Sequence, residues 1–321
     1  MTRFKPKNIL LTGATGFIGR RLVRRLIERG DIVRILTRDR SRAPDVPASV
    51  TVLIGDLARP GSVLERLVEG ADVLFHLAGE TKDVAAMRNV HIEGTHALSA
   101  AAAGSVKHWV QLSSVGVYGP IREGVVDETH VLAPRGVYET SKAESDRVIL
   151  GKASRKCFTA TVLRPSIVFG PGMPNRSLYQ LISAVHHGLF CFIGPPGASA
   201  NYIHVDNVVE ALILCSANVP ARGRVYNISD FRSLEEFIGV IASALGKSTP
   251  HRRMPRLIAS AMAMTLGNLP RFPLTKSRVG ALTSRVRYAT AQIEQDLGYV
   301  PTVSIEEGLR LLVADWKGSS K

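Results

Sequence analysis

At 321 residues the chain is long enough to bury a full core, as one large domain or two modest ones. Its 45% hydrophobic content and mean hydropathy of +0.09 exclude a disordered chain, and no apolar stretch is long enough to span a bilayer. The formal charge of +14 invites phosphate or an anionic membrane surface; nucleic acid is not expected, since aromatics are only 6% and no recognisable binding module occurs.

The opening residues Met1 to Lys7 run directly into the apolar Ile9-Leu10-Leu11, leaving no room for a signal peptide and predicting a cytoplasmic protein. That run reads as a first strand. The stretch Thr12-Gly13-Ala14-Thr15-Gly16-Phe17-Ile18-Gly19 comes next, and then a helix over Arg20–Arg29 with Leu22, Val23, Leu26 and Ile27 at helical spacing. A strand, a glycine turn and a helix in that order place backbone N–H groups at the helix start, where they can hold a pyrophosphate. Gly13 allows the turn, Gly16 lets the backbone approach the phosphates, and Gly19 lets helix and strand pack closely, with Thr15, Phe17 and Ile18 completing the turn.

Ile32–Thr37 reads as the second strand. Its end, Leu36-Thr37-Arg38, puts Thr37 where an acid would bind ribose hydroxyls and supplies a guanidinium for a 2′-phosphate, which favours NADP over NAD. Val50–Ile54 is the third strand; Asp56 and Leu57 follow it, Asp56 serving either an adenine amino group or a plain turn. Val63–Leu67 suits a short helix. Val73–Phe75 is the fourth strand, ending in His76-Leu77-Ala78-Gly79: His76 is expected to be structural, and the small residues after it let a nicotinamide nucleotide lie against the backbone. A long helix over Asn89–Ala103 precedes the fifth strand, Val110–Leu112. Near-continuous β-branched strands separated by helices predict an α/β fold: a doubly wound, Rossmann-type parallel sheet with ligand at the carboxyl ends of its strands.

Ser113-Ser114 ends the fifth strand, and Tyr138-Glu139-Thr140-Ser141-Lys142 opens a later helix. Tyr138 and Lys142, four apart, share a helix face. An ammonium beside the phenol is expected to lower its pKa from about 10, so that it can exchange a proton with a carbonyl or alcohol near neutral pH, while Ser114 holds the substrate oxygen. Cys157, Cys191 and Cys215 read as core residues, with no metal site or disulfide framework.

These motifs, with Arg164-Pro165-Ser166-Ile167-Val168-Phe169-Gly170-Pro171-Gly172, Tyr202-Ile203-His204-Val205-Asp206-Asn207-Val208 and Leu297-Gly298-Tyr299-Val300-Pro301, run in family order over nearly the whole chain. The sequence resembles the extended short-chain dehydrogenases/reductases of the NAD-dependent epimerase/dehydratase group, and in its acid-free C-terminal stretch the 3β-hydroxysteroid dehydrogenase and dihydroflavonol reductase branch as much as the sugar branch. The resemblance implies a catalytic Ser114, Tyr138 and Lys142, with Lys142 also on the nicotinamide ribose, Pro165 and Val168 beside the nicotinamide, and a homodimer. It directs the substrate search to Thr81, Lys82, Ser114, Asn175, Tyr202 and Arg278. Three places depart from the pattern. Ala200 stands where sugar-nucleotide epimerases carry an arginine, Val115 and Gly116 stand where dehydratases carry acids, and His91 replaces an asparagine.

The expected division is a dinucleotide-binding domain over 1–170 with a returning segment 201–230, and a smaller C-terminal substrate-binding part over 171–200 and 231–321. Within the latter, Leu234–Leu245 is a helix with Glu235 and Glu236 in its first turn. No acid occurs between Glu236 and Glu294, whereas nine basic residues from Lys247 to Arg287, Arg271 among them, do. The apolar Leu257–Leu266 is expected to be a buried helix, in preference to a lid or a peripheral contact with an anionic membrane. The reaction expected is hydride transfer between NADP or NAD and a carbonyl or secondary alcohol of a small, apolar molecule. The alternatives are epimerisation or 4-keto reduction of a nucleotide sugar, and a non-catalytic dinucleotide-binding protein.

Overall fold

Strand β1 (Asn8–Thr12) lies between β2 (Ile32–Thr37) and β4 (Val73–His76), with Thr12 opposite Leu36 on one side and His76 on the other. The computed structural model describes residues 6–43, 47–59, 61–265 and 275–319; Met1, Leu266 and Arg271 lie outside them. Helix α1 (Phe17–Glu28) connects β1 to β2, β3 (Thr51–Ile54) is the outer strand, and α2 (Val63–Val68) leads into β4. The predicted long helix is broken into α3 (Val84–Arg88), a π turn (Asn89–Glu93) and α4 (Gly94–Ala102), where a Cβ on Gly94 would lie 2.9 Å from Leu57.

Beyond β5 (His108–Leu112) the chain makes a short 3-10 turn (Val115–Tyr118), the short strand β6 (Glu123–Val126), and the long α5 (Val137–Ser154). Strand β7 (Thr159–Pro165) re-enters the sheet, followed by β8 (Ile167–Phe169), α6 (Ser177–His186), β9 (Phe192–Ile193), β10 (Ser199–His204) and α7 (Val205–Ala217). Strand β11 (Val225–Ile228) closes the main sheet. The remainder comprises β12 (Asp230–Ser233), α8 (Leu234–Leu245), β13 (Arg253–Met254), α9 (Arg256–Thr265), α10 (Lys276–Ala281), β14 (Arg285–Tyr288), α11 (Ala291–Leu297) and α12 (Ile305–Ser319).

The main sheet has seven parallel strands in the order β11-β7-β5-β4-β1-β2-β3, the doubly wound arrangement, with strand order reversing between β1 and β4. Both faces are covered. Ile9 and Leu11 pack with Leu22 and Leu26 on one side, and Leu10 packs with Leu74, Leu98 and Trp109 on the other. That two-sided burial is why the strands read as near-continuous apolar runs. A second core joins Phe237, Ile241, Leu309 and Leu312 of α8 and α12 to Leu178 and Ile182 of α6. The Ser233 capping box, closed by Glu236, starts α8 where the sequence placed it. Cys215 is buried, Cys157 and Cys191 are half-buried, and all three are free thiols. Among the described residues no His, Cys, Asp or Glu cluster suits a metal ion, and no helix is long and apolar enough to cross a membrane.

Helix α9 departs from expectation. Leu257 is 85% exposed, Ile258 52% and Met264 62%, so it is not the buried helix its composition suggests. Its fully buried residues are the small Ala259 and Ala263, with Ser260 and Met262 half-buried beside them.

Candidate active site

The ends of β1, β2, β4, β5 and β7 bring Gly13, Arg38, Leu77–Gly79, Ser114 and Pro165 to one edge of the sheet. Gly13 has φ +76°, and a Cβ there would lie 2.6 Å from the Leu77 carbonyl carbon. A Cβ on Gly19 would sit 2.1 Å from the Gly13 carbonyl oxygen, so α1 rests directly on the turn. Gly16, the N-cap of α1, offers no side chain, and the first turn has no acid. The first-turn N–H groups are therefore left for an anion, as a bound pyrophosphate requires. Thr15 and Phe17 also line a cavity of about 680 Å³ that Arg20, Arg21 and Arg24 make basic. The side chains of Ile18, Leu77 and Val168 pack against the core, which leaves their backbone to face a nucleotide. Gly19→Ala is expected to push α1 off β1, lowering stability by about 1–3 kcal/mol and weakening nucleotide binding together. Thermal melting and a nucleotide titration check both effects.

At the end of β2, the buried Thr37 uses its hydroxyl locally, donating to the Asp39 carbonyl at 3.0 Å and accepting the Asp39 N–H at 3.3 Å. Arg38 is exposed, and its charge helps hold the Glu80 carboxyl below the usual range, behind the stronger effect of backbone N–H groups led by Lys82. Asp56 behaves as a turn aspartate, Oδ1 accepting the Ala58 N–H at 3.0 Å, and Leu57 is buried in the core.

His76 is structural, as expected. Nδ1 lies 2.7 Å from Thr12 Oγ1 and Nε2 2.9 Å from Thr95 Oγ1, and burial pushes its pKa down to about 3. His91, which takes the place of an asparagine, does more than the sequence disclosed. Its Nε2 accepts the Glu80 N–H at 2.8 Å, so the ring is neutral and Nδ1–H donates to Ser141 Oγ at 2.7 Å. The ring then stands edge-on to Tyr138, centroids 5.6 Å apart. Burial pushes His91 down to about 4, in keeping with that neutral form.

Tyr138 and Lys142 lie in the first turns of α5, against which the 3-10 turn after Ser114 packs. The expected lowering of the phenol pKa is not found. Loss of solvent, with the negative charges of Glu139 and Asp146, pushes Tyr138 up to about 12. Lys142 is itself buried, which brings it down to about 8, and its Nζ donates to the Leu112 carbonyl at 2.5 Å. Ser114 Oγ accepts the Gly116 N–H at 3.1 Å, which leaves its own O–H to donate.

Beneath these residues runs a buried network that sequence reasoning missed. Ser113 Oγ donates to Asp146 Oδ2 at 2.7 Å, and Arg164 donates to the same oxygen from Nε at 3.3 Å and Nη2 at 3.2 Å. Arg164 Nη1 donates to Tyr118 Oη at 3.0 Å, and Tyr118 donates to Asn227 Oδ1 at 2.8 Å.

The substrate candidates are not all brought together. Thr81 and Lys82 are exposed and give their backbone N–H groups to Glu80 Oε1. Asn175 Oδ1 accepts the Ser177 N–H, and Arg278 Nη2 donates to Gln180 Oε1 at 2.6 Å. Tyr202 stacks on Phe237 at 4.5 Å and stands edge-on to Phe169, beside the second core. Ala200 is 2% exposed, a core residue where a nucleotide-sugar arginine would stand.

Residues 9–229 match the NAD dependent epimerase/dehydratase family. A ketoreductase of Stigmatella aurantiaca, named for 4-hydroxy-2-methyl-3-oxo-4-farnesyl-3,4-dihydroquinoline-1-oxide, is 29% identical over 94% of both chains. The N-acetyl-alpha-D-glucosaminyl-diphospho-ditrans,octacis-undecaprenol 4-epimerase of Escherichia coli O157:H7 is 27% identical over 94% of this chain and 93% of its own. In fold, the chain is similar to the crystal structure of gox2253, with a TM-score of 0.79 and 24% identity over 98% and 99% of the two chains. The glycine turn at the sheet's carboxyl edge and a match over most of the chain place it in the NAD dependent epimerase/dehydratase family, as an extended short-chain dehydrogenase/reductase-type enzyme that uses a nicotinamide cofactor for oxidoreduction or epimerisation.

Proposed function

We propose that the protein is an NADP-preferring reductase of a ketone on a largely apolar molecule, with Ser114, Tyr138 and Lys142 as its catalytic residues. The observation that carries this reading is the placement of Tyr138, one helical turn before Lys142 on α5, against which the turn after Ser114 packs. Burial pushes the phenol up, which keeps it neutral, the form that can protonate an oxygen as it becomes an alkoxide. A bound nicotinamide supplies the hydride to the carbonyl carbon. Ser114, with its O–H available, orients the substrate oxygen, and Tyr138 gives it the proton. The Lys142 ammonium, fixed on the Leu112 carbonyl, stabilises negative charge left on the phenol and would also hold the nicotinamide ribose. The first-turn N–H groups of α1 would hold the pyrophosphate, and Arg38 would pair with a 2′-phosphate.

An apolar substrate agrees with the ketoreductase relative, whose named substrate carries a farnesyl group. Purified protein with NADPH and a panel of long-chain and cyclic ketones is expected to consume cofactor. Retention of NAD with interconversion of sugars and no net NADPH loss would replace this reading with an epimerase. That alternative draws on the Escherichia coli relative, but the buried Ala200 offers no guanidinium for a diphosphate.

Arg38→Ser is expected to weaken NADPH binding roughly tenfold to a hundredfold while leaving NADH nearly unchanged. Titration of both nucleotides measures it, and equal losses for the two would rule out a 2′-phosphate contact.

A further inference from the structure

Helix α9 exposes Leu257, Ile258 and Met264 and buries only Ala259 and Ala263 completely. Ala259 and Ala263 pack against Ile193 and Val279, with Met254 and Leu282 beside them. At helical spacing Leu257, Ala261 and Met264 fall in one row, with Ile258 to its side, and all four are exposed. A contiguous apolar row of this kind on a protein surface marks contact with another surface.

The charge around it selects that surface. Arg122, Arg256 and Lys276 line a cavity of about 300 Å³ together with Ser260, Thr283 and Ser284. Met264 belongs both to this cavity and to the exposed row, so the cationic recess and the apolar strip are continuous. Arg253 is engaged by Glu235 and the face of Phe192. Arg122, Arg252, Arg256 and Lys276 form no ion pair among the described residues, and the sequence has no acid from 237 to 293 to neutralise this region. An acidic protein surface would meet the cations, but it would leave Leu257 and Met264 without an apolar phase. An anionic bilayer satisfies both, because its phosphates lie directly above its acyl chains.

We propose that α9 and the adjoining recess dock the enzyme peripherally on an anionic phospholipid bilayer. Leu257, Ile258 and Met264 enter the headgroup–acyl boundary, and Arg122, Arg256 and Lys276 take lipid phosphates. Ser260, Thr283 and Ser284 complete the recess as hydroxyl donors to those phosphates. The proposal stands on this surface alone and does not depend on the catalytic reading.

The full chain is tested by co-sedimentation with vesicles of phosphatidylcholine and of phosphatidylcholine mixed with phosphatidylglycerol. Binding is expected to the mixed vesicles only, weakening steeply as salt is raised. Leu257→Glu with Met264→Glu, and separately Arg256→Glu with Lys276→Glu, are each expected to lower partitioning at least about tenfold, with melting temperature and nucleotide affinity unchanged. Equal binding to neutral vesicles, no binding to anionic ones, or indifference to both double variants would overturn the proposal. A change of oligomeric state in the apolar variant with vesicle binding intact would overturn it too, by assigning the strip to a protein contact. The salt and headgroup comparisons use the unaltered protein, so they decide the matter even if a variant fails to fold.

Discussion

Tyr138→Phe is expected to cut ketone reduction roughly a hundredfold to ten-thousandfold while NADPH binding stays within about twofold. The substitution removes one oxygen from a half-buried ring and leaves the contact with His91 in place. Ser114 is a poor replacement as acid, because an aliphatic hydroxyl is a far weaker acid than a phenol. The pH dependence follows from the neighbour. Lys142 is drawn down to about 8 by burial, so its ammonium is present below that pH and is lost as pH rises through it. For reduction, kcat/KM is therefore expected to be level below about 8 and to fall above it, this profile reporting groups of the free enzyme. Lys142→Met should flatten that fall and lower the plateau. Initial rates of NADPH consumption across pH measure both, and full turnover by Tyr138→Phe would eliminate the phenol as the proton donor.

The parts of this site legible in the sequence are those whose chemistry is local. The glycine turn had to be followed by a helix start, because Gly19 meets the backbone of Gly13 and Ala14 within the same β1–α1 unit. The strands betrayed themselves by being apolar on both faces, as Ile9, Leu10 and Leu11 illustrate. What stayed hidden depends on partners distant in the chain. Tyr138 and Lys142 share a helix face, but whether the ammonium lowers the phenol's pKa depends on solvent and on the Leu112 carbonyl, neither of which spacing discloses. His91 was visible as a departure, yet its bonds run to Glu80 and Ser141, the latter fifty residues on. The row of Leu257 and Met264 read as core because apolar side chains usually are. Only the packing of Ala259 and Ala263 reverses the helix.

Asp146→Ala is expected to destabilise the protein by about 3–5 kcal/mol, the larger thermodynamic effect of the substitutions considered. Asp146 and Arg164 are 1% and 3% exposed, and their ion pair is closed at 3.2 Å. Burial pushes the Asp146 carboxyl up against the opposing pull of Arg164, Ser113 and Lys142, so the pair is held against a large solvation cost. Removing the carboxylate alone strands the Arg164 guanidinium, which keeps only the hydroxyl of Tyr118 among its side-chain acceptors named above. It also frees Ser113, whose bond to Asp146 ties the end of β5 to α5 next to Ser114. Asp146→Leu combined with Arg164→Met removes both charges, and should cost less than Asp146→Ala alone despite altering two residues. Urea denaturation of the single and double variants measures the difference. If the double variant loses as much as the sum of its two single substitutions, the charges are uncoupled, and the pair does not serve as the electrostatic clamp between β5, α5 and β7 that its geometry describes.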